Sequence, residues 1–442
     1  MHHASRMARL DRALRSPTAL FCAWGLLITL RVLMIALEVQ PTSDARWYFS
    51  RASDLAAGLG YLNASGEPTA YWPPGWPMAL GMAFRIAGAS VWTVGLVNLS
   101  CAAASGWLIL DLARKLAPDG SDGELAGRCA LLLYAIYPNA FAYVPLALTE
   151  VFYTFLLLLI TWLLTVRRGT LGTVVAGLVL GFATLVKAQT LAVVPLILGI
   201  ALLRQPQWWR HIPRAVGHAI VLIVLAGVVV APWTMRNERL LGHRVVVSTN
   251  GGITLFTGNN DSARGDFTPE DPAVRALDAR TDLDEVEWDA LAGREGIAWI
   301  ASNPGRFIGL MPLKAFRLWA PDGEGEWAYQ GGYARYAEHV ALFRSVRYAN
   351  HLFYVMLLTG FAIFTVHSGW RRWRWRPAGE GWAGWWLLPC GIAAYPTAIA
   401  LVFSGQSRFH FPVMPFMCIA CGWLLADIMQ ARRDAERKSA HA

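Results

Sequence analysis

The sequence has few charged residues for its length. Of 442 residues, 16% are charged and 55% are hydrophobic, whereas a globular domain has about 25% charged residues. The apolar residues form runs of about 20, each long enough to cross about 30 Å of hydrocarbon as a helix. This composition excludes a string of water-soluble domains. It predicts an all-α polytopic membrane protein.

Cysteine is also scarce, and its placement excludes a disulfide framework. The six cysteines lie in or at the ends of apolar runs, with none in a polar loop. Cys418 and Cys421 have a C-x-x-C spacing. Because they lie inside a continuous apolar helix, we interpret them as small core residues rather than as a redox pair.

Basic clusters at the ends of the apolar runs orient the chain. We predict about ten transmembrane helices, at residues 18–38, 93–113, 125–143, 147–166, 171–187, 189–204, 217–235, 346–366, 383–403 and 409–430. With both termini in the cytoplasm, every basic cluster falls on the cytoplasmic side, as the positive-inside rule expects. The net charge of +9 therefore needs no nucleic-acid partner.

This topology divides the chain into five parts. They are a cytoplasmic amphipathic amino terminus (1–17), a membrane module with seven spans (18–235), a polar segment (236–345), three further spans (346–430) and a cytoplasmic tail (431–442). Two large loops lie outside: residues 39–92, the first large loop, and residues 236–345, the second large loop. Residues 75–90 are apolar but short, so we predict a re-entrant or interfacial helix there.

The second large loop contains several predicted elements. It opens with a short β-hairpin, formed by Arg244 to Ser248 and Ile253 to Thr257 around a turn at Asn250. An acidic stretch leads into a helix from Leu283 to Ala301. A second amphipathic helix, lying along the membrane surface, follows the break at residues 303–305.

Ionisable and strongly polar groups avoid the predicted bilayer centre, apart from Arg31 in the first span. The others gather near helix ends that the topology places outside: Asp44, Glu150, Lys187, Arg236, Asn237, Arg408 and His410. Cations on that side oppose the usual orientation bias, so we expect anionic partners for them. Lipid phosphate is one such partner, and a ligand is the other.

Asp44 opens a predicted amphipathic helix in the first large loop. Its carboxylate has two interpretations, as a helix N-cap or as a general base that takes a proton from an attacking hydroxyl. Asp54 and Glu67 lie on solvated or turn-like stretches and are weaker candidates. Further along the loop, Tyr71, Trp72 and Trp76 offer flat faces that suit either sugar rings or the membrane interface.

Several motifs, in order, resemble one superfamily of membrane enzymes. They are Asp44 with Tyr48, the run from Gly58 to Tyr61, PTAY before PPG at residues 68–75, Thr149–Glu150, PWTMRN at 232–237, STNGG and GNN at 248–260, and SRFHFPVMP at 407–415. Together they are similar to the dolichyl-phosphate-mannose protein mannosyltransferase and ArnT-like superfamily, which are integral membrane glycosyltransferases of the GT-C fold.

The resemblance implies a sugar donor carried on polyprenyl phosphate and an inverting transfer to an acceptor. The acceptor would be a periplasmic glycan, lipid or protein, in a bacterial inner membrane. The matching position makes Asp44 the general base. For the donor phosphate we favour Arg236, because it presents a bidentate fork, followed by Lys187 and Arg408. Further expected sugar-binding or orienting residues are Glu150, His410, Asn237, Asn259, Tyr48 and Tyr71.

The sequence departs from the superfamily in one informative place. Close relatives often carry a Glu-Lys pair before the double proline, where the Glu serves a metal, and here Tyr71 and Trp72 occupy those positions. We therefore predict no metal ligands and no definite cofactor, and a divalent metal stays open as an alternative. Two other functions stay open, a carrier or flippase of lipid-linked sugars and a ligase or polymerase of lipid-linked glycans. The sugar, the acceptor and the oligomeric state are not encoded in any residue pattern.

Overall fold

A computed structural model describes residues 11–167, 169–268, 270–321, 325–375 and 383–441. Within these ranges the regular elements are helices, and the β-structure is one isolated bridge between Leu62 and Pro68. Residues 1–10 of the predicted amino-terminal segment 1–17 lie outside the described residues. From residue 17 onward the α-helices are Pro17–Ile35, Ser43–Ala56, Gly75–Ala87, Val91–Lys115, Gly123–Ile136, Pro138–Ala142, Glu150–Thr165, Thr170–Val186, Val193–Leu203, Ile212–Leu241, Gly251–Thr257, Pro272–Asp278, Glu285–Ser302, Pro304–Leu318, Glu326–Gly332, Val340–Trp375, Leu387–Val402 and Met414–His441.

Each of the ten predicted spans overlaps an observed helix. In the described part of the chain, five helices are long and apolar enough to cross a membrane: Pro17–Ile35, Val91–Lys115, Trp208–Leu241, Val340–Arg374 and Ser407–Lys438. Four shorter apolar helices accompany them: Glu150–Thr165, Thr170–Val186, Ala188–Leu203 and Leu387–Val402. At 1.5 Å per residue, a helix of 16 residues is about 24 Å long, so the shorter ones reach a span only with their flanking turns.

Arg31 lies in the interior of the first predicted span, away from its ends. Its side chain is fully buried. Its guanidinium donates to the carbonyl oxygens of Leu27, Tyr134 and Ala135 at 3.0 to 3.2 Å. Two of these carbonyls end the helix Gly123–Ile136, where the helix dipole is negative. Arg31 therefore joins two helices and belongs to the framework.

Of four apolar clusters among the described residues, the two largest form most of the core. One surrounds the last helix and includes Met417 and Trp423, and the other includes Trp76, Phe152 and Phe411. The 3₁₀ turn Ser407–Val413 lies where the clusters meet, since Val413 packs in the first cluster and Phe411 in the second. Buried aromatic and branched side chains on both sides hold this turn in place.

The first large loop contains the predicted helices. Ser43–Ala56 has Asp44 in its first turn, as its apolar spacing predicts. The short apolar segment forms the helix Gly75–Ala87, of 13 residues. At its start a Cβ on Gly75 would come within 2.8 Å of the backbone of Leu185. Glycine thus allows this helix to approach the end of Thr170–Val186 closely.

The predicted β-hairpin is wrong. Residues 244–248 form no strand, and the second predicted strand is the helix Gly251–Thr257. The backbone of the first stretch bonds to side chains of the preceding helix, because Asn237 Nδ2 donates to Val245 O and Trp233 Nε1 to Val247 O. Because these side chains already bond backbone carbonyls within residues 244–248, this stretch needs no neighbouring strand to satisfy them.

The second stretch is helical because of a distant residue. Asp289 Oδ1 accepts from the Ile253 backbone N–H at 2.9 Å, and this carboxylate at the start of Gly251–Thr257 favours a helix. The later elements of the second large loop agree with the sequence. Glu285–Ser302 begins with a capping box between Asp284 and Glu287, and Pro304–Leu318 follows the break at Asn303.

Candidate functional site

An ion pair joins the first large loop to the start of the last predicted span. Arg408 Nη1 donates to Asp44 Oδ2 at 2.7 Å, and 23% of the Asp44 side chain and 21% of the Arg408 side chain are exposed. The N-cap of this helix is Thr42, so the N-cap interpretation of Asp44 is wrong. The Asp44 carboxylate is therefore available to partners other than its own helix terminus, and it meets a cation from the opposite end of the sequence.

A second carboxylate and a second cation lie beside this pair. Glu150 begins the helix Glu150–Thr165 and is buried, with 3% exposed. It lies within electrostatic range of both Arg408 and Lys187. A buried carboxylate is costly unless it is compensated, and the two cations supply that compensation. We call Asp44, Glu150, Lys187 and Arg408 the four-charge cluster.

One aromatic ring is shared by the two cations. Lys187 Nζ lies 5.1 Å from the centre of the Phe409 ring, and Arg408 Cζ lies 5.5 Å from the same centre. The predicted spans 171–187 and 189–204 leave room only for a tight turn at Lys187, and this turn is present, since Thr170–Val186 ends directly before it and a 3₁₀ turn follows. Two neighbouring cations repel each other. Their placement makes the cluster suited to bind an anion with more than one oxygen.

Tyr48 lies one helical turn after Asp44 and within electrostatic range of Asp44, Glu150 and Arg408. Its ring packs against Trp72 with centroids 5.0 Å apart. Burial, assisted by the two carboxylates, raises the pKa of Tyr48 far above its ordinary value. Its hydroxyl stays protonated at neutral pH, which leaves it a hydrogen-bond donor beside the cluster.

Arg236, our first choice for a phosphate ligand from the sequence, has a different environment. Its Nη1 donates to Thr69 O at 2.8 Å and its Nη2 donates to Tyr61 O at 2.7 Å. Nη1 also contacts Asn237 Oδ1 at 3.0 Å, and the guanidinium lies over the Trp233 ring. The fork thus binds backbone carbonyls of the first large loop and fastens that loop to the helix Ile212–Leu241.

The predicted orienting residues Asn237, Asn259 and His410 are fully buried. Asn237 bonds Val245 O, as described above, and Asn259 Nδ2 donates to Val402 O at 2.8 Å. His410 Nδ1 lies 2.6 Å from Leu318 O, and its ring stacks on Trp319. In this structure these three side chains connect loop segments to one another.

The two weaker carboxylate candidates have local partners. Asp54 pairs with Arg51 at 2.8 Å on the same helix. Glu67 Oε2 accepts from Asn63 Nδ2 at 3.2 Å within a turn. Among the aromatic candidates, Trp76 is fully buried and donates to Ala147 O, so it is a core residue, whereas Tyr71 and Trp72 are half-buried.

Glu285 connects the two large loops and was not predicted. Its Oε1 accepts from the Ala70 backbone N–H at 2.9 Å and from Thr249 Oγ1 at 2.6 Å, and its Oε2 accepts from Thr69 Oγ1. It is one of many acids in an acidic stretch, and its partners lie far away in the sequence. No local pattern distinguishes it.

Lys314 was also missed as a buried group, although a signal for it exists. It is fully buried, and its Nζ donates to Asn259 Oδ1 at 2.8 Å and to Val402 O at 3.1 Å. Burial lowers its pKa to about 8. Phe307, Lys314 and Leu318 share one helix face by their spacing, and that apolar face predicts its burial.

The four-charge cluster does not fit a divalent metal. A hard cation needs several oxygen ligands, but Asp44 is paired with Arg408 and Glu150 faces two cations. Among the described residues, no group of three or more His, Cys, Asp or Glu side chains could hold a metal ion.

Solved structures share this fold. The oligosaccharyltransferase of Archaeoglobus fulgidus, in a complex with Zn and sulfate, matches with a TM-score of 0.54 and 13% identity over 93% of this chain and 49% of that chain. The oligosaccharyltransferase AglB from the same organism, with an inhibitory peptide and a dolichol-phosphate, matches with a TM-score of 0.51 and 12% identity over 97% of this chain and 52% of that chain. Both are GT-C folds, and our chain spans about half their length.

A weaker similarity links the chain to ArnT of Cupriavidus metallidurans bound to undecaprenyl phosphate. Its TM-score is 0.44, with 13% identity over 93% of this chain and 79% of that chain, and at this score no shared fold follows. No curated protein sequence matches the chain.

The family model described as dolichyl-phosphate-mannose-protein mannosyltransferase matches residues 72–235. This match and the GT-C fold confirm the resemblance predicted from the motifs.

Proposed function

We propose that the protein is an inverting glycosyltransferase of a bacterial inner membrane. It moves a sugar from a polyprenyl phosphate donor to an acceptor on the periplasmic side. The observation that carries this proposal is the four-charge cluster, in which a partly exposed carboxylate on a loop helix pairs with Arg408 and Lys187 lies next to that cation. A base and an anion site side by side are what transfer from a phosphate leaving group requires.

Asp44 is the general base in this proposal. The acceptor hydroxyl gives its proton to the Asp44 carboxylate while its oxygen attacks the anomeric carbon from the face opposite the phosphate. The bond between that carbon and the phosphate oxygen breaks, and the electron pair leaves with polyprenyl phosphate. The new glycosidic bond therefore has the inverted configuration.

Arg408 and Lys187 bind the leaving phosphate. We assign them this role in place of Arg236, because the Arg236 fork is already bonded to Tyr61 O and Thr69 O. Charged donors held in a poorly hydrated site stabilise developing negative charge better than water does. Glu150 holds the two cations near each other and keeps their net charge low.

The Asp44–Arg408 pair gives the mechanism an order. In the structure Asp44 Oδ2 is bonded to Arg408, so that oxygen is not free to accept from an acceptor hydroxyl. A donor phosphate competes for the same guanidinium and releases Asp44 when it binds. Donor binding thus frees the second oxygen of the Asp44 carboxylate for the acceptor hydroxyl.

The test is the isosteric change Asp44→Asn, assayed as release of polyprenyl phosphate from lipid-linked sugar by purified protein. General-base catalysis contributes about 10²- to 10⁴-fold, so we expect a loss of that size with normal accumulation in membranes. Asp54→Asn, on the same helix and paired with Arg51, is the matched control and should keep its activity.

Two results would refute the proposal. If Asp44→Asn releases polyprenyl phosphate at the wild-type rate, Asp44 takes no part in the chemistry. Movement of lipid-linked sugar across vesicles without its consumption makes the protein a carrier. Mass analysis of the product separates transfer of one sugar from transfer of a preassembled glycan, which would make the protein a ligase.

A further inference from the structure

A continuous row of half-buried aromatic rings begins beside Asp44. Successive ring centroids are 5.0 Å apart from Tyr48 to Trp72, 6.0 Å from Trp72 to Tyr71 and 6.5 Å from Tyr71 to Trp288. All four residues are half-buried. We call Tyr48, Trp72, Tyr71 and Trp288 the aromatic row. It extends from the four-charge cluster to the second large loop.

The row is built from both large loops, and Glu285 aligns them. Glu285 and Trp288 are three residues apart on the helix Glu285–Ser302, so they lie on neighbouring positions of one face. Glu285 bonds the backbone N–H of Ala70, which directly precedes Tyr71. The same contact that joins the loops thus places Trp288 against Tyr71.

The charges along the row distinguish between possible occupants. Asp278, Glu285 and Asp289 lie within electrostatic range of Tyr71, as does Asp44. An anionic phospholipid surface would be repelled by these carboxylates. The donor phosphate would be repelled too, and its sugar lies one bond from that phosphate and so stays near Arg408 and Lys187.

Sugar rings are the class of ligand that fits both the aromatic surface and the carboxylates beside it. The C–H faces of a pyranose pack well against aromatic rings, while its hydroxyls need polar partners at the edge of the site. Burial raises the pKa of Tyr71 to about 12, so its hydroxyl is a donor at neutral pH, and the neighbouring carboxylates are acceptors. The row spans three ring-to-ring steps and offers contacts to more than one sugar ring.

We propose that the aromatic row is the acceptor subsite, and that the acceptor is a neutral or amino-sugar saccharide of two or more rings. The inference rests on the proposed function, because it takes Asp44 as the base that the acceptor hydroxyl reaches. The terminal sugar lies at Tyr48, next to Asp44, and the following sugars lie along Trp72, Tyr71 and Trp288.

The test uses the full-length protein in zwitterionic nanodiscs on an array of neutral, amino and acidic oligosaccharides. We expect retention of at least one neutral or amino-sugar oligosaccharide, and weaker retention, about tenfold or more, by Trp288→Ala and by Tyr71→Ala. Trp288→Phe should restore most of the binding, which separates the role of the ring from loss of folding. Trp299→Ala is the matched control, since Trp299 lies on the same helix, bonds Asp261 and contacts no ring of the row.

Each other outcome overturns the inference. If wild-type protein retains no saccharide, or if Trp288→Ala binds as well as wild type, the row is not a saccharide subsite. If Trp288→Ala lowers the binding of the nanodisc-embedded protein to vesicles of anionic phospholipid and leaves saccharide retention unchanged, the row is a membrane anchor.

Failure of the proposed function gives a different pattern. Asp44→Asn should lower transfer by about 10²- to 10⁴-fold, whereas the rings of the aromatic row still retain the saccharide. If the wild-type protein has no transferase activity but retains saccharide in a way that depends on Trp288, the aromatic row is a saccharide subsite and the proposed enzyme function is wrong.

Discussion

Arg408 and Arg236 look alike in the sequence, and the structure gives them opposite environments. Both lie at the end of an apolar helix, and the topology predicts the same side for both. Arg408 faces a partly exposed carboxylate and shares a ring with Lys187, whereas Arg236 bonds backbone carbonyls of the first large loop. A carboxylate partner can be replaced by a phosphate, but carbonyls of a folded loop cannot leave. The partner therefore decides whether a cation serves ligand binding or folding.

The largest expected effect is a loss of turnover on substitution of Arg408, the cation with a carboxylate partner. Arg408→Gln should lower release of polyprenyl phosphate by about 10²- to 10³-fold, because one charged donor to the leaving group is lost. Arg408→Lys should recover part of the rate. The comparison uses Arg317→Gln, which removes an ion pair with Asp266 outside the site. Equal turnover in Arg408→Gln and wild type would reassign the phosphate.

The second effect concerns Arg236 and is one of stability. Arg236→Gln loses charged hydrogen bonds to Tyr61 O and Thr69 O, each worth about 1.5 to 3 kcal/mol. We expect a lower melting temperature in detergent and faster proteolysis within residues 58–70. Arg239→Gln, an exposed change on the same helix, should have neither effect. A stable, protected loop in Arg236→Gln together with a raised donor KM would restore the phosphate role predicted from the sequence.

Glu285 should give a smaller effect. Glu285→Gln cannot accept from all three of its donors at once, so the contact between the two large loops weakens by about 1 to 2 kcal/mol. Hydrogen exchange at the Ala70 amide should become faster, and Glu295→Gln, exposed on the same helix, is the control. Unchanged exchange at Ala70 would show that other contacts hold the loops together.

The smallest effect concerns Lys314, a cation with neutral partners like Arg236 but able to lose its proton. Its folded pKa of about 8 lies below the usual 10.5. Above the folded pKa the unfolded chain binds more protons, so stability rises with pH between these two values. From about pH 7 to about pH 8.5 we expect a gain of less than about 1 kcal/mol.

Melting curves of wild type and Lys314→Met across this pH range measure the effect. Lys314→Met should lack the rise, because it has no proton to lose. A rise of the same size in Lys314→Met would assign the titration to another group.

Lys314 also acts on the site through the chain that leads to Arg408. Its backbone carbonyl lies so close to Gly405 that a Cβ there would come within 1.9 Å of Lys314 O. Only glycine allows this approach. Residues 403–406 lead from this contact directly into the turn Ser407–Val413, which carries Arg408. The position of Arg408 thus depends on a packing contact with the second large loop.

Sequence patterns predicted the helices wherever local physics was sufficient. The helical spacing of Ser43–Ala56, the break at Asn303 and the turn at Lys187 all follow from side-chain periodicity and backbone preferences, and each is present. The hairpin failed because Asp289 caps a helix at Gly251–Thr257 from 36 residues away. Local preference at Ile253 could not contain that information.

The sequence by itself determined that the chain is helical, apolar enough for a membrane, and provided with Asp44, Glu150, Lys187 and Arg408 near helix ends. The tertiary structure decided which of the cations meet carboxylates and which meet carbonyls. The reason is physical. Burial of apolar faces depends on composition and period, which are local, whereas the partner of a charged group depends on which distant segment the packed core brings within about 3 Å of it.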